Sequence, residues 1–377
     1  MKKCVIMPDS FKGTMSAAEA SRIMEESVRE AFPECEIIAA PAADGGEGTV
    51  DCFLSALGKG KKVMLMTKGP FMDEVQSFFG VADGLGIVEM AASSGLDLAK
   101  GRLDPAKAST YGAGELVLAA IERGCNMIAL GLGGSCTNDC GAGMAAALGT
   151  KFYDETGKTF IPVGGTLDKV VHIDVSETAK RLKGVHITAM CDIDNPLYGE
   201  NGAAYVFAPQ KGADQEKVEL LDRNLRRFAR TVQNSLGVDI SGIKGAGAAG
   251  GAGAGAYAFF GAELQRGIDA FLDIVRFEEM IKGCDCIFTG EGRLDAQSLG
   301  GKAAVGIARR AKTFGVPVIA VTGTFEGSAE SMKREGVSRI FETCVGRCGM
   351  GEIKKHCRGD LKNTMKEICK KYSLMTF

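Results

Sequence analysis

Three glycine-rich strings in the sequence carry residue types that bind anions. They are Asp44–Thr49, Gly131–Asp139 and Gly290–Asp295, and each follows a short apolar run and precedes a run with helical periodicity. A turn between a strand and a helix gathers free backbone N–H groups and the positive end of the helix dipole, which favours a phosphate or carboxylate ligand. Glycine alone would explain any one tight turn. The acids, amides and hydroxyls in all three strings favour a binding function.

Acidic residues recur at or just after the predicted strand ends, where open α/β sheets bind their ligands. These residues are Asp44, Glu47, Asp139, Asp192, Asp194, Glu291 and Asp295. Carboxylates beside anion-binding loops would repel the ligand unless a divalent cation lay between them. Mg²⁺ with a nucleotide fits this requirement, because Mg²⁺ takes one or two carboxylates together with water and phosphate oxygens. Each acid taken singly could equally cap a helix or lie in a solvated turn.

Basic residues occur in glycine-containing strings with Ser, Thr or Gln neighbours. They are Lys12, Lys211, Arg293 and Lys302. This setting suits a cation that meets a phosphate or a carboxylate, although an isolated lysine is more often a solvated surface residue. The Ser10–Thr14 string is more specific, because Phe11 can anchor the loop while Lys12 and Thr14 project from it.

Other catalytic and metal-binding motifs are weak or missing. Gly245–Gly250 has the spacing of a dinucleotide-binding loop, but no strong apolar strand precedes it. Gly301-Lys302 is followed by Ala303, so there is no phosphate-binding loop of the Walker type. No two cysteines have C-x-x-C spacing and the three histidines are far apart, which argues against a structural zinc site and gives a Ser-His-Asp hydrolase little support.

The elements that must position these residues follow one recurring pattern of apolar strand, glycine-rich turn and amphipathic helix. Predicted strands include Lys3–Met7, Ile37–Ala40, Met127–Leu130, Cys286–Thr289, Val316–Val321 and Arg339–Glu342. Ser16 followed by Glu19 predicts the start of the first helix. An Asp83-Gly84 turn predicts a hairpin in the middle of the chain, and hence a mixed sheet there.

This pattern predicts an α/β protein with two domains. A doubly wound parallel-sheet domain of the Rossmann or flavodoxin type is expected from both chain ends, residues 1–70 and 280–377. Residues 71–279 are expected to form an inserted α/β domain with a mixed sheet. Gly245–Ala262 is almost entirely Gly and Ala, and we predict it as a loop.

Composition narrows the class of function. The chain has 377 residues, 45 Lys and Arg against 47 Asp and Glu, and a formal net charge of −2, so it offers no basic field for nucleic acid. It shows neither a secretory signal nor a run apolar enough to span a bilayer, so we expect a cytoplasmic protein without a membrane partner. The thirteen cysteines, odd in number and scattered through apolar segments, are expected to be reduced and mostly buried.

Six strings taken together resemble the type I glycerate kinase family. In order along the chain they are Pro8–Thr14, Asp44–Thr49, Gly131–Asp139, Cys191–Leu197, Gln210–Ala213 and Gly290–Asp295. The resemblance implies an ATP-dependent kinase that phosphorylates D-glycerate, with 2-phosphoglycerate as the favoured product and the active site in the cleft between two α/β domains. The sequence departs from the usual pattern at Cys136 and Cys140, and its Cys- and Lys-rich segment from Cys344 onward is not explained by it.

On this reading the reaction is in-line phosphoryl transfer with ATP and Mg²⁺. Asp295 and Asp192 are the candidate general bases, and Asp44 and Asp192 the candidate metal ligands. The candidate substrate-binding residues are Ser10, Asp44 and Glu47, while Lys12, Arg293 and Lys211 would neutralise the glycerate carboxylate and the transferring phosphoryl group. The candidate nucleotide-binding residues are Gly133, Gly134, Ser135, Thr137, Asn138 and Lys211.

Two other functions are compatible with the sequence. An NAD-linked oxidoreductase acting on a small hydroxy acid would account for the Gly245 string and the α/β pattern. A non-catalytic nucleotide-binding protein would use the same loops without turnover. The sequence leaves open which glycerate hydroxyl is phosphorylated, and it makes no prediction of the oligomeric state.

Overall fold

The computed structural model describes residues 1–344, 346 and 349–372. The strands are β1 (Lys3–Pro8), β2 (Glu36–Ala39), β3 (Lys61–Lys68), β4 (Glu74–Ala82), β5 (Leu85–Glu89), β6 (Met127–Gly131), β7 (Lys151–Tyr153), β8 (Thr159–Phe160), β9 (His172–Asp174), β10 (His186–Met190), β11 (Glu263–Gln265), β12 (Cys286–Asp295), β13 (Val318–Glu326) and β14 (Val337–Glu342).

Helices separate most of these strands. They are α1 (Ala17–Ala31), α2 (Thr49–Leu57), α3 (Ala91–Ser94), α4 (Tyr111–Glu122), α5 (Ala142–Ala147), α6 (Ser176–Arg181), α7 (Ala203–Phe207), α8 (Gln215–Leu236), α9 (Ala248–Phe260), α10 (Gly267–Ile274), α11 (Phe277–Met280), α12 (Ala303–Lys312), α13 (Ala329–Arg334) and α14 (Met350–Lys371), with short 3-10 helices at Gly164–Lys169, Pro209–Lys211 and Ala296–Gly300.

The chain divides into two compact units. The first comprises Met1–Asp44, Asp51–Lys59 and Ile268–Phe377, and the second Gly45–Val50 and Gly60–Gly267. These limits differ from the expected boundaries at residues 70 and 280, chiefly because β3 pairs with β4 of the second unit. The predicted division into a domain of residues 1–70 and 280–377 and an inserted domain of residues 71–279 therefore remains a prediction.

The first unit is built on a parallel sheet in the order β14-β13-β12-β1-β2, to which both chain ends contribute. Cys4–Met7 of β1 is fully buried, as expected for a strand covered on both faces. The register aligns Pro8, the last residue of β1, with Gly290 inside β12, so Asp9 follows the end of β1 beside Glu291 of β12.

The second unit contains a mixed sheet in the order β11-β10-β6-β5-β4-β3 and a small sheet in the order β8-β7-β9. The predicted Asp83-Gly84 hairpin is confirmed: both residues have positive φ, and β4 and β5 are antiparallel. β5, β6 and β10 are parallel neighbours, with Gly131 aligned to both Glu89 and Met190. The predicted α/β class, with one parallel and one mixed sheet, is confirmed.

The Cys- and Lys-rich C-terminal segment contains the long helix α14, which packs on α1. It buries Cys357, Leu361, Met365, Ile368 and Cys369 in the core of the first unit. The predicted start of α1 is confirmed, since Ser16 Oγ accepts a hydrogen bond from the Glu19 backbone N–H at 3.2 Å. Glu19 then pairs with Arg358 of α14 at 2.6 Å, which joins the two helices at the surface.

Two expectations about local structure are wrong. Gly290–Asp295 is not a turn but the second half of β12, where Arg293 pairs with Thr324 of β13. Gly245–Ala262 is not a loop, because α9 occupies most of it and is largely buried. Its small residues allow backbone to pack on backbone: a Cβ on Gly255 would lie 2.1 Å from the Cys140 carbonyl oxygen. Because this segment has few large apolar side chains, its sequence did not indicate a buried helix.

The twelve cysteines that the structure describes are free thiols, and all but Cys191 and Cys284 are buried, as predicted. Cys348 lies outside the described residues. No helix in the described part of the chain is long and apolar enough to cross a bilayer.

Candidate functional site

The glycine-rich loop after β6 approaches a second loop so closely that side chains are excluded. The backbone N–H of Gly133 donates to the Gly45 carbonyl at 2.9 Å. A Cβ on Gly133 would lie 2.7 Å from the Cα of Gly46, and one on Gly131 would lie 2.5 Å from the Gly45 carbonyl oxygen. These glycines therefore allow the Gly45–Val50 segment to lie directly against the loop.

Lys211 supports this loop from within the protein. Its side chain is buried, and its ammonium donates to Ser135 Oγ at 3.1 Å and to the Thr137 carbonyl at 2.7 Å. Loss of hydration lowers the pKa of Lys211 to about 8, against the opposing influence of Cys136 and Asp139. The structure thus brings together Lys211, Ser135 and Thr137, which the sequence predicted for one nucleotide site.

Asn138 has no exposed surface, and neither its Oδ1 nor its Nδ2 has a hydrogen-bond partner among the described residues. Buried amides are nearly always satisfied, so an unpaired one indicates a position for water or a polar ligand. The adjacent Lys211 contact at Thr137 places a cation beneath the same stretch of loop. This combination fits a phosphate-bearing ligand.

Asp139 has a structural role. It is fully buried and accepts hydrogen bonds from the N–H and hydroxyl of Thr110, both at 2.8 Å, and from the N–H groups of Gly141 and Gly143 at 3.1 and 3.2 Å. Burial raises the pKa of its carboxyl, and these four donors oppose the rise. Asp139 thereby joins the loop to the start of α4 and of α5.

Backbone of the predicted loop segment Gly245–Gly251 also supports the glycine-rich loop after β6. Ala249, Gly250 and Gly251 have left-handed backbone conformations, and the Gly250 carbonyl accepts from the Cys140 N–H at 3.1 Å. A Cβ on Gly250 would lie 2.0 Å from the Thr137 carbonyl oxygen. The space that a dinucleotide would need beside these glycines is filled by the protein's own backbone.

Glu47 and Glu89 occupy the Gly45–Val50 region of the second unit. Glu47 is exposed, and a Cβ on Gly134 would lie 3.3 Å from its Oε1. Glu89 is buried at the end of β5 and accepts from the backbone N–H groups of Val50 at 2.7 Å and Gly48 at 3.2 Å. Sequence reasoning missed Glu89; a carboxylate that ends a buried apolar strand was its only signal.

Asp192 follows β10, the strand next to β6 in the sheet. It is exposed, and its Oδ1 accepts from the Gly267 N–H at 2.7 Å. Asp194 lies 3.9 Å from a guanidinium nitrogen of Arg266. Asp192 and the glycine-rich loop therefore follow the carboxyl ends of neighbouring parallel strands, where α/β sheets bind ligands.

In the first unit, the loop after β1 carries Ser10 and Lys12. The Ser10 N–H donates to Asp9 Oδ1 at 2.6 Å, and the exposed ammonium of Lys12 lies 3.6 Å from Asp44 Oδ2. Lys12 was predicted as a catalytic cation and Asp44 as a substrate or metal contact, and in the structure the two form one ion pair. Both are accessible to a ligand.

Arg293 and Asp295 lie on the extension of β12, two residues apart and hence on one face. Arg293 Nε lies 3.3 Å from Asp295 Oδ2, and Arg293 Nη2 lies 2.5 Å from Glu326 on β13. The Lys302 ammonium lies 3.7 Å from the other oxygen of Asp295. The Asp295 carboxylate is therefore held between two cations.

Glu291 lies at the same sheet edge and was not assigned a role from the sequence. It is only 6% exposed, and its Oε1 has no hydrogen-bond partner among the described residues. Burial, followed by the nearby charge of Asp9, raises the pKa of Glu291 to about 7, against the influence of Lys302. This carboxyl thus changes its charge near neutral pH.

Comparisons with known proteins assign the family. The model of the glycerate kinase family matches residues 4–373. A glycerate kinase of Bacillus cereus is 42% identical over 97% of this chain and 97% of that protein, and a glycerate 2-kinase of Escherichia coli is 40% identical over 96% and 94%. A solved structure from Salmonella typhimurium LT2, named provisionally as a glycerate kinase 2, has a TM-score of 0.88 at 38% identity and covers 99% of this chain and 98% of its own. The chain belongs to the glycerate kinase family.

Proposed function

We propose that this protein transfers a phosphoryl group from ATP to D-glycerate, with 2-phosphoglycerate as product. The observation that carries the proposal is the loop after β6, where the buried Lys211 ammonium occurs beside the Asn138 amide, which has no hydrogen-bond partner among the described residues. Membership of the glycerate kinase family supports the choice of acceptor.

The nucleotide groups of the proposal lie in the second unit. Gly134 and Ser135 would offer backbone N–H groups, while Gly133, whose N–H is donated to the Gly45 carbonyl, would shape the loop. Thr137 and Asn138 would supply polar side chains, and Lys211 would supply positive charge from beneath. Because a phosphoryl transition state carries its charge on the equatorial oxygens, fixed donors and a desolvated cation stabilise it more than mobile surface groups do.

The acceptor groups are assigned mainly to the first unit. Lys12 and Arg293 would attract the glycerate carboxylate, and Ser10 would hydrogen-bond a substrate oxygen. Asp295, placed between Arg293 and Lys302, would accept a hydrogen bond from the attacking hydroxyl and orient it. Asp192 is the second candidate for this role, and Glu47 would hydrogen-bond glycerate hydroxyls.

The proposal includes a magnesium ion whose coordination nucleotide would complete. No group of three or more His, Cys, Asp or Glu side chains that could hold a metal occurs in the described part of the chain. Mg²⁺ needs only one or two carboxylates when phosphate oxygens and water supply the rest, and Asp44 and Asp192 are the candidate ligands. When bound, Mg²⁺ supplies neutralisation of the phosphate charge.

The test is turnover by the purified protein with ATP, Mg²⁺ and D-glycerate. ADP release should depend on D-glycerate, with L-glycerate as the control acceptor, and phosphorus NMR should identify a single product, 2-phosphoglycerate. A 3-phosphoglycerate signal would show that the proposed product is wrong and would leave the proposed phosphoryl transfer to D-glycerate in place. Stabilisation of the protein by ATP without ADP release would favour the non-catalytic nucleotide-binding function instead.

The oxidoreductase alternative rested on the α/β pattern and on the Gly245–Gly250 string, and the string no longer supports it. The Gly245–Gly250 string leads into α9, and its glycines pack on backbone of the loop after β6 rather than opening a cofactor cradle. We extend the proposal to a cytoplasmic protein whose partners are small molecules and not nucleic acid.

A further inference from the structure

Glu89 is a buried carboxylate that the proposed reaction does not use. It is the last residue of β5 and only 3% exposed. Its Oε1 accepts from the Val50 N–H at 2.7 Å and its Oε2 from the Gly48 N–H at 3.2 Å. A buried carboxylate is costly unless such donors satisfy it, so both oxygens constrain the backbone they contact.

The donors belong to the segment Gly45–Val50, which runs into the first turn of α2. An N-terminal helical turn is ordinarily capped by a side chain from its own chain neighbourhood. Here the acceptor is the Glu89 carboxylate at the end of β5, which is remote in sequence. It therefore fixes the Gly45–Val50 segment to the sheet as well as satisfying two of its N–H groups. Gly48 has φ +88°, and its left-handed turn directs its N–H to Glu89.

The same segment is also fixed at its other end. The Gly45 carbonyl accepts from the Gly133 N–H at 2.9 Å, and Glu89 aligns with Gly131 in the sheet. Glu47 lies between these two anchors, exposed and directed to Gly134 of the nucleotide loop. Releasing either anchor would let Glu47 move relative to that loop.

We propose that Glu89 is a positioning residue that holds Glu47 against the Gly133–Asn138 loop, and that it thereby sets the binding of the acceptor hydroxyls. The inference rests on the proposed function, because it assigns Glu47 to glycerate. Displacement of a positioning group by about 1 Å lowers catalytic efficiency by as much as about 100-fold, so a clear kinetic effect is expected.

The experiment compares Glu89→Gln with Glu115→Gln. Glu115 is a matched control in the same unit, since its carboxylate also accepts from a backbone N–H, that of Lys68 in β3, at 2.6 Å. Glu89→Gln should lower kcat/KM for D-glycerate by about 10-fold or more with little change in the KM for ATP. Glu115→Gln should leave both kcat/KM for D-glycerate and the KM for ATP close to wild type. Glu89→Asp, which keeps the charge but shortens the side chain, should show the same selective effect to a smaller degree.

A double-mutant cycle separates positioning from simple destabilisation. If Glu89 acts through Glu47, then Glu89→Gln should have little further effect in a Glu47→Gln background. Equal loss in both backgrounds, or equal change in the KM for ATP and for D-glycerate, would overturn the inference. Wild-type protein that releases no ADP with D-glycerate would overturn the proposed function instead, so the two failures are distinguishable.

Discussion

The ammonium of Lys211 lies 2.7 Å from the carbonyl oxygen of Thr137 and 3.1 Å from Ser135 Oγ, so one buried cation holds two alternate residues of the glycine-rich loop. The 3-10 turn that presents it ends at Gly212, whose φ of +95° no other residue adopts readily. Lys211 therefore combines a mechanical role, fixing the loop, with an electrostatic one, placing positive charge under it.

Replacing Lys211 by Met should weaken ATP binding by about 10- to 100-fold, because the loop loses a charged hydrogen-bond donor at two points. Calorimetric titration with ATP measures this directly. Lys107→Met is the control, since Lys107 is an exposed lysine of the same unit whose ammonium lies 3.3 Å from Asp104 at the surface. Equal ATP affinities of both variants would contradict the role of Lys211.

The pH dependence of ATP binding should follow the same residue. The pKa of Lys211 is lowered to about 8, so the ammonium loses its proton as pH rises through this value. The KM for ATP should therefore increase between about pH 7 and about pH 9. The Lys211→Met variant carries no charge at any pH and should lack this increase; an identical increase in the variant would assign it to another group.

Glu291 should make the stability of the protein depend on pH. Its pKa is raised from 4.5 to about 7, so between these values the folded state binds more protons than the unfolded state. The free energy of unfolding should then fall as pH rises from about 5 to about 8, with a contribution of about 3 kcal/mol from this group. Glu291→Gln should remove this part of the dependence in urea unfolding, whereas Glu330→Gln at an exposed position should not.

Gly250→Ala should destabilise the protein and disturb the nucleotide loop. The added methyl would meet the Thr137 carbonyl oxygen at 2.0 Å, and the residue has a positive φ. Gly261→Ala has a similar φ but nothing within 4 Å of the added Cβ, so it isolates the backbone strain of about 1 kcal/mol. In urea unfolding, Gly250→Ala should lower the free energy of unfolding by about 3 kcal/mol or more beyond the effect of Gly261→Ala. Similar decreases for the two variants would mean that the loop shifts to accommodate the methyl group at little cost.

The assignment of the general base is tested by Asp295→Asn and Asp192→Asn. Removing the group that orients the attacking hydroxyl should lower kcat by about 100-fold or more while both proteins keep native circular dichroism. Asp194→Asn is the control beside Asp192. Turnover near wild type in both test variants would exclude both residues as the base.

The local patterns that the sequence predicted well depend on short-range chemistry. The buried strand at Cys4–Met7, the Ser16 cap and the Asp83-Gly84 hairpin each follow from side chains close together in the chain, and the structure confirms them. The glycine-rich string after β6 likewise predicted a loop. Only glycine permits backbone contacts as close as that of Gly133 with Gly46.

Features that depend on partners remote in sequence were missed or misassigned. The Gly245–Ala262 segment forms a helix because Cys140 and Thr137 offer it backbone to pack on, which no periodicity within the segment reveals. Gly290–Asp295 remains a strand because β13 continues beside it. Glu89 and Glu291 acquired their properties from burial, which depends on what covers them.

The sequence alone determined the α/β class, the glycine-rich loop and the family resemblance, since residue type and spacing encode these directly. Only the tertiary structure decided which charged groups became buried, which of their hydrogen-bond donors were satisfied and how far their pKa values moved. The physical reason is that desolvation and hydrogen bonding depend on atoms brought together from distant parts of the chain, as Lys211 and Ser135 are here.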